Sequence, residues 1–501
     1  MVQRNRVTPD DPRYAELAGR GDNTRFTPAP DEFVPAADTA EVVAAVQDAV
    51  DRGVGVTARS GGHCYEDFVA DPRQRVVVDL AALDTVEWDA GRGAVAVGPG
   101  VRLLDLHAEL HRRWGTALPA GASATVAVGG HLAGGGYGPL SRALGTAVDH
   151  VHAVEVVTVD AGGRAAAVVA TRDPADPAHE LWWALTGVGG GNLGIVTRYW
   201  LRSPGADGSA PETALPAPPG TVLATSRLFP REGMTREAFR ALVGAHGRWH
   251  ERNSAPGSPH AGLFGGLVLF AKQPRDDPGL SAILFLTLDG DAPGAAELLA
   301  GALADMTEGV DAPSIDTPVT AEPWPDAVRT LAGAQDGAPG RHKIKSAYLR
   351  TAYTDEQADT LYDRLADDDH PHRSASVSLQ STGCAVNAVA PDATAVAQRD
   401  SVLRALYLAT WDAEADDGAA LAWVRGLYHA VYAGTGGVPV PGVRDDGCHI
   451  NFPDPDLADP RWNTSGVPWQ HLYFKDNLPR LQAAAKTWDP LGVFGHALSV
   501  R

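Results

Sequence analysis

The sequence is poor in cysteine, has no surplus of positive charge and lacks long apolar runs, and each shortage excludes a class of function. Three cysteines, Cys64, Cys384 and Cys448, occur in 501 residues. Their spacing frames neither a disulfide scaffold nor a metal motif, and His370 and His372 lack a rigid ligand spacing, so no metal is expected. Lys and Arg number 42 against 62 Asp and Glu, a formal net charge of −20. Nucleic acids and anionic membranes are bound by basic faces, so neither is expected as a partner. No apolar run approaches the length of a membrane span. Residues 1–26 are polar and lack the apolar centre of a secretory leader. A reducing cytoplasm is the expected compartment. Internal repeats are absent. So is a G-x-G-x-x-G turn between strand and helix, which makes a Rossmann fold a poor reading.

What is present is glycine in clusters. An apolar run, Val54–Ala58, predicts a buried strand, and Arg59-Ser60-Gly61-Gly62-His63-Cys64-Tyr65 follows it. Two glycines after a strand let backbone N–H groups approach an anionic ligand. A second cluster spans Val128-Gly129-Gly130-His131 to Gly134-Gly135-Gly136-Tyr137-Gly138, too glycine-rich for a stable helix or strand. A third, Gly187 to Gly194, includes Gly191 and Asn192 and precedes a strand beginning Ile195-Val196. Three such loops predict a long, extended ligand such as a dinucleotide.

These stretches, with Asn451-Phe452-Pro453-Asp454, Tyr473 to Leu481 and Trp488-Asp489-Pro490 near the end, resemble the berberine-bridge-enzyme-like FAD-linked oxidases. The resemblance covers nearly the whole chain and is weakest over residues 203–340. It implies an α+β fold of two domains, an FAD-binding domain of the PCMH type and a substrate domain with an antiparallel sheet covered by helices. Arg59, Ser60, Gly61, Gly62, His63, Cys64, Ser123, Val128, Gly129, Gly130, His131, Gly135, Tyr137, Gly138, Gly191, Asn192, Gly194, Ile195, Val196, Tyr473 and Asn477 are the cofactor-binding residues it implies. His63 matches the histidine that bonds covalently to the flavin, and His131 one that lies near its pyrimidine edge. Many relatives add a second link from a cysteine. Ser123 stands at that position and cannot form a thioether, so a single covalent link through His63 is expected.

The chain's length exceeds what one core usually organises, and its 44% hydrophobic and 21% charged residues are ordinary for a globular protein. Apolar spacing predicts helices over Thr39–Asp51, Leu103–Trp114 and Glu180–Leu185, and hairpins around Ala90–Gly93 and Asp160–Gly163. Trp182 and Trp183 read as core residues. Pro28–Pro35 reads as a proline-rich approach. Pro204–Pro219 reads as a linker that cannot pack as an element. Beyond it, strands at Leu263–Phe270, Ala282–Leu288, Ile344–Thr351 and Ala375–Leu379 alternate with helices at Thr235–Trp249, Ala295–Ala304, Asp355–Leu365 and Ala419–Tyr432. The expected division is residues 1–204 for cofactor, 205–444 for substrate, and 445–501 completing the cofactor domain. A monomer or homodimer is expected.

The chemistry centres on His449-Ile450-Asn451. The resemblance implies a tyrosine where His449 stands, and Thr382 lies near where a supporting tyrosine occurs. An imidazole titrates near neutrality and can take a hydroxyl proton as hydride leaves, which makes His449 and Asn451 the candidate catalytic residues. The leading reading is an FAD-dependent oxidase that dehydrogenates a small-molecule alcohol, sugar-like or a secondary metabolite, with O2 as acceptor. Oxidative cyclisation or flavin-dependent oxygenation on the same fold is an alternative. A non-catalytic flavin-containing binding protein is a second. Lys343 and Lys345 flank a strand near the site and read as exposed, or as contacts to an anionic substrate. The run Ala366–His370 reads as a solvated loop.

Overall fold

Valine-rich and alternating runs build three sheets in the computed structural model, which describes residues 6–272, 279–367, 370 and 372–501. The first sheet is parallel, with β3 (Gln74–Asp79) central between β1 (Glu32–Pro35) and β2 (Gly55–Arg59). The second is antiparallel, in the order β4 (Val86–Asp89), β5 (Ala94–Val97), β8 (Ile195–Leu201), β6 (Val151–Val159), β7 (Ala165–Thr171). Helix Thr39–Arg52 lies between them. Its buried stripe Val42, Ala45, Val46 and Ala49 packs on Val34, Val56, Val76 and Val78 and on Val157, Val159 and Ile195. Asp38 caps it by accepting from the Glu41 N–H at 2.8 Å, and Gly53 ends it at φ 64°. Helix Leu103–Trp114 has the predicted bounds and ends at left-handed Gly115. Trp182 and Trp183 are core residues, as expected.

The third sheet is antiparallel and holds eight strands. The path runs β12 (Ile315–Asp316), β9 (Thr221–Pro230), β11 (Leu280–Asp289), β10 (Leu263–Phe270), β15 (Ser374–Ser381), β16 (Leu403–Trp411), β14 (Arg341–Leu349), with β13 (Thr320–Pro323) also paired to β9. Because side chains alternate across a strand, its two faces differ. Ala375, Val377 and Leu379 of β15 and Leu403, Ala405, Tyr407, Ala409 and Trp411 of β16 join the core that helices Arg236–Asn253, Asp355–Ala366 and Asp417–Val431 complete. Ser376, Ser378, Gln380, Arg404, Leu406, Leu408 and Thr410 point the other way, into a cavity. This is the expected α+β architecture.

Three expectations are corrected. The second glycine cluster is not helix-free: Val128–Ala133 forms a short helix, because burial of Val128, Leu132 and Ala133 in the core outweighs the entropic cost of Gly129 and Gly130. Pro28–Pro35 contains β1, where Phe33 and Val34 bury beside β3 and proline ends the strand. Within Pro204–Pro219, Pro211–Ala214 makes one helical turn, started by proline at its first position and seated by buried Ala214 and Leu215. Among the described residues, no helix is long and apolar enough to cross a membrane.

Candidate active site

The three glycine loops and the bare face of the third sheet enclose one cavity of about 650 Å³, within the roughly 300–1,000 Å³ usual for small-molecule and cofactor sites. The first loop leaves β2 at Arg59, whose guanidinium is buried against Asp79 at 2.5 Å and donates to the Leu17 carbonyl. Ser60 donates to the Pro99 carbonyl. Gly62 has φ +80°, and a Cβ there would sit 2.3 Å from the Arg20 carbonyl oxygen. Only glycine takes that turn, and it delivers His63 to the cavity wall. His63 Nδ1 lies 3.7 Å from Asp22, which is 3.9 Å from His342. Burial lowers the His63 pKa, opposed by Asp22 and aided by Arg102, so its imidazole is neutral and nucleophilic. Burial pushes the neighbouring Cys64 thiol up to about 12.

The second glycine cluster carries His131 on the short helix Val128–Ala133. The Gly121 N–H donates to its Nε2 at 3.0 Å, which puts the ring proton on Nδ1 and leaves a donor there. Burial takes its pKa down to about 3. Gly130, and Gly190 in the third loop, line the cavity with open space where a Cβ would stand. That open space is what a ligand laid against bare backbone requires. The loops therefore fit an extended cofactor. Asn192 fixes the third loop, donating to the Val188 carbonyl and accepting from the Val500 N–H.

The C-terminal segment closes the cavity. Asn451 donates to the His131 carbonyl at 2.8 Å, and a Cβ on Gly134 would sit 2.2 Å from its Oδ1. His449 is buried, and its Nδ1 is 3.1 Å from the Tyr348 hydroxyl. Its Nε2 has no hydrogen-bond partner among the described residues. Burial, with Arg404 and His131 nearby, lowers its pKa well below 6.5, so it is neutral across the ordinary pH range. Tyr348 on β14 thus places a phenol beside His449, and burial raises its pKa to about 12.

Most of the expected site residues line this cavity: Arg59, Ser60, Gly61, Gly62, His63, Cys64, Ser123, Gly129, Gly130, His131, Tyr137, Gly138, Gly191, Asn192, Gly194, Ile195, Val196, His449 and Asn451. Four do not. Val128 is packed into the core, and the Cβ position of Gly135 faces Val396. Tyr473 accepts from the Asp454 N–H and donates to the Phe452 carbonyl. Asn477 donates to the carbonyls of Pro391 and Thr394. Both brace backbone behind the wall. Ser123 donates to Asp336 at 2.5 Å, tying the second loop to the end of helix Trp324–Gln335.

Lys343 and Lys345 are neither exposed nor in the cavity. They point away from His342 and Ile344 and are buried in an ion network. Lys343 meets Glu66, and Asp454 at 2.8 Å; Lys345 meets Asp454 at 2.5 Å and Asp456 at 2.9 Å. Burial opposes the Lys343 charge, but Asp454, Glu66 and Asp456 outweigh it and raise its pKa. Of the run Ala366–His370, Asp368 and Asp369 lie outside the described residues. His370 and His372 are buried against Trp423 instead of solvated. No metal-holding cluster occurs among the described residues.

Sequence reasoning missed Asp22, Tyr348, Gln380 and Arg404. Tyr348 follows His342 and Ile344 at period two, so strand parity alone would have placed it on the cavity face. Arg404 lies in the apolar run Leu403–Trp411, which was not read as a strand.

Residues 30–165 match the family model described as an FAD binding domain, and residues 448–501 the one described as berberine and berberine like. The chain is 47% identical to aclacinomycin-N/aclacinomycin-A oxidase of Streptomyces galilaeus, over 100% of this chain and 90% of that protein. It is 29% identical to hexose oxidase of Chondrus crispus, over 100% and 96%. Among solved structures, a glycopeptide hexose oxidase complexed with teicoplanin superposes with a TM-score of 0.94 at 42% identity, covering 99% of this chain and 98% of that one.

Proposed function

This chain belongs to the berberine-bridge-enzyme-like family of FAD-linked oxidases, and from that premise we propose that it dehydrogenates a hydroxyl-bearing carbon of a sugar carried by a secondary metabolite. The names of its relatives, an aclacinomycin oxidase and two hexose oxidases, support that substrate class. The observation that carries the reaction is His449 on the cavity wall with its Nδ1 3.1 Å from the buried Tyr348 hydroxyl. With Nδ1–H donating to the Tyr348 hydroxyl oxygen, the tautomer leaves Nε2 unprotonated to take the substrate's hydroxyl proton as hydride departs. The altered-chemistry alternative drew on the loss of both tyrosines, and Tyr348 weakens that ground.

FAD, when bound, supplies the two-electron acceptor for the hydride and passes the electrons to O2 to give H2O2. The backbones of Gly61, Gly129, Gly130 and Gly189 to Gly194 would hold it, and His63 would anchor it covalently. A neutral His63 on the cavity wall suits that role. Ser123, engaged with Asp336, adds no second link. His131 offers Nδ1–H as a donor. Phe264, Ile344, Leu406 and Leu408 exclude water and seat an apolar aglycone, while Ser376, Ser378 and Gln380 meet sugar hydroxyls. Residues 1–204 with 445–501 would form the cofactor unit and residues 205–444 the substrate unit. The three unpaired cysteines suit the cytoplasm.

The test is product analysis with aclacinomycin N and with free hexoses. We expect H2O2 in a one-to-one ratio with a carbonyl product trapped by a hydroxylamine reagent. A ring-closed or oxygen-bearing product would overturn the alcohol reading.

A further inference from the structure

Three arginines line the cavity, and their charges are not equally answered. Arg59 is paired with Asp79 at 2.5 Å and Arg373 with Asp412 at 3.1 Å. Arg404 has no carboxylate within ion-pair reach among the described residues, although it is only 7% exposed. Its Nη2 donates to the Gln380 Oε1 at 2.6 Å. Its Nε is buried without a partner, and Nη1 makes no hydrogen bond among the described residues. The guanidinium lies over the Tyr137 ring at 4.3 Å and the Phe452 ring at 5.7 Å. Those ring faces soften the charge without neutralising it.

A buried cation without a counter-charge costs several kcal/mol, so a site that keeps one is matched to an anion that arrives from outside. The neighbours show where. Gln380, Arg404 and Tyr348 are directly paired across β15, β16 and β14, and therefore share one face. Tyr348 in turn meets His449. Gln380 accepts from Arg404 Nη2 through Oε1, so its amide N–H groups and Arg404 Nη1 stand as donors on the same face of the sheet. Two adjacent donors on a flat fork suit a carboxylate.

Resting on the oxidase reading above, we infer that Arg404, with Gln380, is the specificity-determining residue of this cavity, and that it receives a carboxylate carried by the substrate one strand away from the base. The preferred substrate is an acidic sugar or an acid-bearing sugar conjugate. Another source of negative charge is the reduced cofactor, and the experiment separates the two.

The flavin-loaded enzyme is titrated calorimetrically with glucuronate and with glucose as its uncharged counterpart, and the flavin midpoint potential is measured on the same preparations. Native enzyme should bind glucuronate the more tightly. Arg404→Gln should weaken glucuronate about 10- to 100-fold, the worth of a hydrogen bond to a charged group, with glucose and the potential little changed. Arg404→Lys should keep the preference in weaker form, since it retains the charge and loses the fork. Equal binding of both sugars by the native enzyme overturns the inference. So does a fall in potential in Arg404→Gln while the preference for glucuronate persists, which would assign the charge to the cofactor. Neither arm needs turnover, so failure to find any oxidised sugar alcohol would count against the proposed function alone.

Discussion

Replacing His449 by phenylalanine keeps the ring and removes the nitrogens, which isolates what the imidazole does. In the native cavity Nδ1 is held by Tyr348 at 3.1 Å, so the variant loses that hydrogen bond together with the proton acceptor at Nε2, while the ring's packing is kept. A positioned acid–base group contributes about 10²–10⁴-fold, and full burial argues for the upper part of that range. Anaerobic stopped-flow, following bleaching of the flavin by substrate, measures the step directly. Reoxidation of the reduced enzyme by O2 should change much less, because it involves no substrate proton. The pH profile gives a second reading. A base must be neutral to act, and burial together with Arg404 and His131 lowers the pKa of His449 well below 6.5. Reduction should therefore be flat across neutral pH and fall only well below 6.5 as the ring protonates. Unchanged reduction in His449→Phe would remove His449 from catalysis. An acid limb at or above 6.5 would refute the burial argument.

Denatured native protein should retain its flavin, and His63→Ala should release it; free flavin from the native protein would sink the covalent assignment. Adding Ser123→Cys to His63→Ala should restore attachment, since Ser123 lines the same cavity, and complete release from that double variant would refute it. Lys343→Met leaves Glu66 and Asp454 buried with less than their counter-charge, at about 3–5 kcal/mol, so its melting temperature should drop clearly in calorimetry. His246 and His250 are fully buried, and burial takes His246 down to about 3 and His250 well below its ordinary value. Their folded-state pKa values are depressed. Stability is therefore whole above about 6.5 and is lost as pH falls from there, at about 1.4 kcal/mol per pH unit for each ring. Melting curves should show that decline between pH 6.5 and 5, and a flat profile would contradict it.

The elements that were legible share strong local signals. Leu103–Trp114 has an apolar stripe and a glycine stop, and the glycine loops have a composition that fits little besides backbone against ligand. Leu403–Trp411 was opaque because it is apolar on both faces. One side packs on helices and the other lines the cavity, so period two is masked and Arg404 looks like an interruption. The lysines of β14 were misread for the complementary reason. Their counter-charges, Glu66, Asp454 and Asp456, come from distant parts of the chain, and no local pattern announces a long-range ion network. Tyr473 and Asn477 sit in the matched closing segment, yet they brace its backbone from behind.

The ion network also has a consequence in time. Lys343 reaches back 277 positions to Glu66, just after the loop that bears His63, while Asn451 spans 320 positions to the His131 carbonyl. At about 5–20 residues per second, tens of seconds of synthesis separate the emergence of His63 from that of Asp454. Through that interval Glu66, just past the first loop, and the His131 carbonyl lack their late partners, Lys343 and Asn451. A covalent link through His63, as proposed above, would therefore be completed only after the C-terminal segment has emerged, and a chain cut short before it should remain colourless.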